Sequence, residues 1–382
     1  MSEQPQRQAF SRRRKLLYVA LVLAVFLGFT ELALVFLVGE ARISHRPSDG
    51  GVLVPFVPGS RAELVGDEFH VDYQINEDGF RDRRRSYASQ RPRLVLLGDS
   101  FSEGWGVERR ERYSDLCEAA LDVELWNRAR HGGNPLWYVV QLRAELARAV
   151  PLGVIVQIFD NDLWDLRVYQ RRFRFAEDGR LLGEAEPSGP PSAVATFFEQ
   201  RQLSIVWRRF RRLVKGRVRL HREPFYWPGS KARSAPPQRG ELEEARPIDL
   251  RDWDRSPFLG MRKAGQEGSW SASFDLEGRL LSQLIDMARD AKVRLWLLYI
   301  PDRGVLVGRP ELGRARAENP HYGALAALCR SKGVPLLDAQ AWLLRAERPE
   351  RMYFHVDGHL NAAGHALVAE GLIDALRGQL GE

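Results

Sequence analysis

Leu94–Leu97, Val123–Trp126, Val154–Ile158, Val293–Ile300 and Pro335–Leu337 are short, nearly continuous apolar runs. A strand wetted on one face alternates polar and apolar residues with period two, whereas a strand covered on both faces does not. The stretches between these runs have helical spacing: Tyr113–Leu121, a helix ending near Val150, Asp275–Ala291, His321–Lys332 and the closing Ala362–Leu380. Strand and helix in alternation predict an α/β fold, a parallel sheet with helices on both faces. Ligands of such sheets bind just past the carboxyl ends of the strands. Residues at those ends are therefore the first place to look for chemistry.

The N-terminus sets a second constraint. Leu16–Val38 is apolar except for Thr30 and Glu31. As a helix it would span about 34 Å, enough for a hydrocarbon core of about 30 Å. Arg12, Arg13, Arg14 and Lys15 precede it, so the positive-inside rule puts residues 1–15 in the cytoplasm and the rest outside. The expected location is a single-pass protein of the cytoplasmic membrane, with everything after residue 38 on the extracytoplasmic side. A cleaved signal peptide is the rival reading, but its apolar core usually has about 7–15 residues and Gly39-x-Ala41 is a poor cleavage site.

The formal net charge of +7 is concentrated in residues 1–15 and 201–233, leaving the remainder mildly acidic. That distribution gives no general case for nucleic-acid binding. Two cysteines exclude a disulfide scaffold, and no Cys/His cluster has zinc-ligand spacing, so neither a metal nor another cofactor is expected. Cys117 and Cys329 could pair outside the cytoplasm, but two separate thiols behaving as small core residues are the expected reading.

Residues 39–90, rich in Pro, Gly and charge, read as a linker with a small β element near Glu68–Ile75. Residues 91–382 form the main domain. About 110 residues separate the third strand from Asp275, too many for a loop, so an insertion or cap is expected at about 165–272. Within it, Leu203–Leu220 has one apolar helical face ringed by arginines. That helix would pack on the core, lie on anionic lipid or bind an acidic glycan.

Four polar blocks fall after strands or before the last helix: Gly98-Asp99-Ser100, Gly132, Asn161-Asp162 and Asp357-x-His359. Together with the lead-in Asn76-x-x-Gly79-Phe80-Arg81, they resemble the SGNH (GDSL-type) hydrolase superfamily, in particular its membrane-anchored bacterial members. The resemblance implies a three-layer αβα, flavodoxin-like fold and acyl-ester chemistry. It implies Ser100 as nucleophile, His359 as base and Asp357 as the acid. The Ser100 N–H, the Gly132 N–H and the Asn161 amide would form the oxyanion hole. A serine needs such a base, and an acid on the second imidazole nitrogen fixes the tautomer and stabilises the imidazolium.

The sequence departs from the family in two places. The family sets its acid three residues before the histidine, where this chain has Val356; Asp357 is two before, and if it cannot reach, His359 works as a dyad base. Phe159 stands where the third block often has glycine. His131, His355 and His365 read as neighbours or structural residues. The expected function is a serine esterase removing acetyl or another short acyl group from a cell-envelope polysaccharide. An O-acyltransferase using the same Ser100 acyl-enzyme and a non-catalytic glycan-binding scaffold are the alternatives. Expected partners are the acylated glycan or another small ester and the bilayer.

Overall fold

The computed structural model describes residues 12–37, 55–65, 68–185, 267–306, 320–355 and 357–380. Its centre is a parallel five-stranded sheet formed by β3 (Arg93–Leu97), β4 (Glu124–Asn127), β5 (Gly153–Ile158), β8 (Arg294–Tyr299) and β9 (Leu336–Asp338). The spatial order is β4-β3-β5-β8-β9. Counting only these strands, the order is 2-1-3-4-5, that of the flavodoxin-like sheets, and it places the switch point at the adjacent ends of β3 and β5.

Every residue of β3 and β5 is buried, which is why their sequences lack alternation. The two faces still divide with period two. Val95, Leu97, Val154, Val156, Leu295 and Leu297 pack with α4 (Pro135–Arg148), α6 (Glu267–Asp290) and α8 (Pro320–Lys332). Leu94, Leu96, Ile155, Trp296 and Leu298 face α3 (Tyr113–Ala120), α9 (Ala339–Leu343) and α10 (Ala362–Leu380). Each such Val or Leu contributes about 1.5–3 kcal/mol on burial. Cys117 and Cys329 are free, buried and on opposite faces.

Residues 68–90, expected as part of a linker, are built into this domain. β1 (Arg61–Val65) and β2 (His70–Gln74) form an antiparallel hairpin, with Phe56, Val71, Tyr73 and Ile75 as its small core. The Asn76 side-chain Oδ1 then accepts from the Asp78 and Phe80 N–H groups. Beyond that turn, the buried Arg81 lies over Tyr73 and donates to the carbonyls of Gly104 and Val107. Arg85 pairs with Asp82 at 2.8 Å and Glu118 at 2.7 Å, both buried. Arg128 pairs with Asp78 and Glu145. The composition of this segment is that of a solvated linker, but its charges find partners inside.

α6 begins at Glu267, earlier than the expected Asp275. Gly268 and the serines around it are weak helix formers; burial of Ser273 and Glu277 supplies what propensity does not. Of the expected insertion, the structure describes α5 (Asp162–Tyr169) and the antiparallel pair β6 (Phe173–Phe175) and β7 (Leu181–Glu184). The predicted helix Leu203–Leu220 lies outside the described residues.

α1 (Arg12–Leu37) is a helix of 26 residues whose apolar side chains from Leu17 to Phe29 are exposed. Among the described residues, no helix is long and apolar enough to cross a membrane. The side chains of residue 16 and of residues 31–37, and all of residue 38, belong to the expected span and are outside the described set.

Candidate active site

β3 delivers Gly98-Asp99-Ser100 to the sheet edge. Asp99 caps α2 (Ser100–Glu103), its carboxylate accepting the Phe101 N–H at 2.9 Å. The cap turns the chain sharply and leaves Ser100 as the first helical residue, 7% exposed. Asp99 itself is enclosed. Burial pushes its carboxyl up to about 7, against the hydrogen bond from Phe101 and the charge of His359. It orders the turn and does not contact His359.

His359 Nε2 lies 2.8 Å from Ser100 Oγ, and His359 Nδ1 lies 2.5 Å from Asp357 Oδ1. With Nδ1 protonated, the serine hydroxyl donates to Nε2. Two residues separate acid and base, and Gly358 between them has φ +88. That left-handed conformation folds the carboxylate back onto its own histidine and favours glycine. The Asp357 side chain is 28% exposed and that of His359 24%. Partial burial raises the Asp357 carboxyl, but the hydrogen bond and charge of His359 outweigh it and hold it below the usual range.

The loop that carries the pair is pinned at both sides. The Phe354 N–H donates to the His359 carbonyl at 2.8 Å, and Tyr353 bridges Leu360. Asn361 caps α10 through the Ala363 and Gly364 N–H groups. Phe159, where glycine is usual, packs at a tilt on Phe101 at 4.3 Å, and Phe101 in turn packs on His359 at 4.8 Å.

Gly132 follows β4 and Asn161 follows β5. Because β4, β3 and β5 are neighbours, Gly132, Ser100 and Asn161 come from three adjacent strand ends. Asn161 occupies the cap position of α5 without making a side-chain cap bond, and its buried Oδ1 has no partner. Among the described residues, the N–H groups of Ser100 and Gly132 and the Asn161 amide donate no hydrogen bond. Three donors are thus unspent at the ends of three adjacent strands, the supply an oxyanion needs.

Several residues absent from the sequence reading surround this set. Trp105 Nε1 donates to Asp357 Oδ2 at 3.2 Å. The Glu68 carboxylate accepts the N–H groups of His355 and Asp357. Glu103 accepts from the Tyr73 hydroxyl and the His131 N–H. Burial raises the Glu103 carboxyl, but the charge and hydrogen bonds of His131, with Tyr73, bring it down to about 2. Asp160, next to Asn161, is held by His321 and Tyr299. Acids beside the third block were the available sequence signal for Asp160; nothing local marks Glu68. Among the described residues, no group of three or more His, Cys, Asp or Glu side chains is arranged to hold a metal ion.

Several solved structures resemble the chain. An acetyl xylan esterase shares 12% identity over 74% of this chain and 99% of its own, with a TM-score of 0.39. An esterase from Pseudoalteromonas sp. shares 11% identity over 76% and 99%, with a TM-score of 0.36. A lipolytic protein of the G-D-S-L family from Desulfitobacterium hafniense shares 10% over 74% and 98%, at 0.38. These are remote likenesses. A comparison with curated protein sequences finds no match. The sequence model of the GDSL-like lipase/acylhydrolase family matches residues 96–367, most of the chain and all four blocks. The chain belongs to that family, the SGNH hydrolases, and is an ester hydrolase of its type.

Proposed function

We propose that Ser100, His359 and Asp357 hydrolyse short acyl esters, acetyl above all, carried by a cell-envelope polysaccharide. The observation that carries this reading is the continuous hydrogen-bonded chain from Asp357 through His359 to Ser100, with three unspent donors at adjacent strand ends. Ser100 Oγ attacks the ester carbonyl carbon while its proton passes to His359 Nε2. Asp357 stabilises the resulting imidazolium. The tetrahedral oxyanion takes the Ser100 and Gly132 N–H groups and the Asn161 amide. Collapse breaks the bond to the leaving alcohol, which takes the proton from His359. Water then attacks the acyl-enzyme by the reverse sequence, releasing the carboxylic acid and restoring Ser100.

The recessed serine, with Phe101 and Phe159 beside it, favours a small acyl group. The apolarity of residues 16–38 and the arginines before them favour a membrane anchor with the enzyme outside, where polysaccharide esters are found. The quarter-exposed His359 favours water as acceptor over a sugar hydroxyl. Fluorophosphonate labelling of the detergent-solubilised full chain tests the nucleophile: it should appear in the wild type and vanish in Ser100→Ala. Turnover of p-nitrophenyl acetate should exceed that of the octanoate, and acetylated polysaccharide should release acetate. Labelling that persists in Ser100→Ala overturns the assignment.

A further inference from the structure

Asp357 lies on an exposed loop at a spacing that needs a left-handed glycine, yet it meets His359 at hydrogen-bond distance. What holds it comes from two distant parts of the chain. Trp105, just past the nucleophile helix, donates its indole N–H to Asp357 Oδ2 at 3.2 Å. Oδ1 is left to His359 Nδ1 and, at 3.3 Å, to the His359 N–H. The Trp105 ring lies 6.0 Å from the His359 ring. From the other side, Glu68, just before β2, straddles the loop. Its Oε1 accepts the His355 N–H at 2.6 Å and its Oε2 the Asp357 N–H at 3.0 Å.

Apolar contacts lock the same junction. Phe69 packs on Phe354 at 5.1 Å and meets Trp105 edge-on at 6.5 Å. Gly106 sits beneath with φ +80, where a Cβ would come within 2.6 Å of Phe354 and 2.8 Å of Phe69. The hairpin can therefore close onto the acid loop only over a residue without a side chain. Hydrogen bonds from backbone amides to a carboxylate are charge-assisted, roughly twice as strong as neutral ones. The Trp105 N–H also contributes to holding the Asp357 carboxyl ionised.

We propose that Trp105 and Glu68 are positioning residues that fix Asp357 against His359, making the acid–base pair dependent on the β1–β2 hairpin. The inference rests on the reading of Ser100, His359 and Asp357 as the reacting groups. Trp105 restrains the carboxylate itself, and Glu68 restrains the backbone that carries it. Loss of either frees the acid to swing toward solvent, and a displacement of this kind lowers turnover more than substrate binding.

The test is a set of cycles on the full chain in detergent, read by kcat and KM for p-nitrophenyl acetate and by the pH dependence of fluorophosphonate labelling. Trp105→Phe keeps the ring and removes the donor; Glu68→Ala removes the bracket; Glu68→Gln keeps one acceptor oxygen. Trp105→Phe and Glu68→Ala should each lower kcat about tenfold with KM nearly constant, and Glu68→Gln should recover part of that loss. In Glu68→Ala the acidic limb of labelling should move to lower pH, because the imidazolium loses support. In an Asp357→Asn background the same substitutions should change kcat less than twofold, since residues acting through one group are not additive. Equal losses in both backgrounds, or unchanged kcat in both single variants, overturn the inference. Retained activity in Ser100→Ala instead overturns the triad reading on which it rests. Circular dichroism on each variant separates misfolding from mispositioning, and the milder Trp105→Phe and Glu68→Gln keep the test decisive if Glu68→Ala misfolds.

Discussion

His321 and His359 are both gripped by carboxylates, and they have opposite characters. His321, at the start of α8, is 0% exposed. Its Nδ1 lies 2.9 Å from Asp160 and its Nε2 3.0 Å from both oxygens of Glu277. Burial disfavours the cation, but Glu277 and Asp160 overcome it and push the imidazole up to about 10. With a carboxylate on each ring nitrogen, the cation is the favoured form at neutral pH, and it ties β5, α6 and α8 together. His359 has one carboxylate, one serine hydroxyl and access to solvent. Its Nε2 meets a group that gives up a proton, not one that holds it as a cation. The second partner decides whether an imidazole is a clamp or a base.

The comparison breaks most visibly in a paired substitution. His359→Gln should lower kcat/KM by about 10⁴-fold or more, with the thermal midpoint nearly unchanged. His321→Leu should act chiefly on stability. Two buried carboxylates lose their cation, which costs about 3–5 kcal/mol in urea unfolding. Adding Glu277→Gln to His321→Leu should restore part of it. A His321→Leu protein as stable as the wild type would remove the distinction.

These two constellations also differ in how far the sequence disclosed them. The strands and the ends that carry Ser100, Gly132 and Asn161 were legible because an apolar run and the turn after it are local facts; the order of the strands was not, and came only with the family resemblance. Asp357 was legible as the neighbouring acid, although its reach depends on the conformation of Gly358 and on Trp105, 252 residues away. The His321 clamp was not legible. Its carboxylates are 161 and 44 residues distant, and a lone histidine at a helix start carries no pattern. Residues 68–85 misled for a different reason. Arg81, Asp82 and Arg85 have a linker's composition, and only the fold shows each of them buried against a partner.

A smaller effect sharpens the link between clamp and site. Asp160 is adjacent to Asn161, so the clamp holds the backbone that presents the amide donor. Asn161→Ala removes that donor and should lower kcat about 10²- to 10³-fold with little change in KM. Asn161→Asp is the stricter case: it keeps the shape but sets a negative charge where the oxyanion forms, and should be no more active than the alanine variant. Steady-state kinetics on p-nitrophenyl acetate reads both. Full activity in Asn161→Ala would leave the two backbone N–H groups as the whole oxyanion hole.

The smallest effect is in the pH dependence of stability, where a third histidine gives the opposite sign. His365, buried on α10, accepts the Tyr113 N–H on Nδ1 at 3.3 Å. Burial, then the charges of Arg112, Arg81 and His359, lower it from 6.5 to about 3, so it folds neutral. A depressed imidazole stabilises fully above about pH 6.5 and loses that contribution as pH falls toward 3, because the unfolded chain binds the proton first. His321 is raised, so its contribution is full below 6.5 and is lost as pH climbs toward 10. Each slope is limited to about 1.4 kcal/mol per pH unit. Urea midpoints from pH 5 to 9 should therefore fall on both sides of a maximum near 6.5. His365→Phe should flatten the acid side alone, and His321→Leu the alkaline side alone. If His321→Leu leaves the alkaline slope intact, the buried imidazole is not the cation that its two carboxylates imply, and its difference from His359 loses its electrostatic basis.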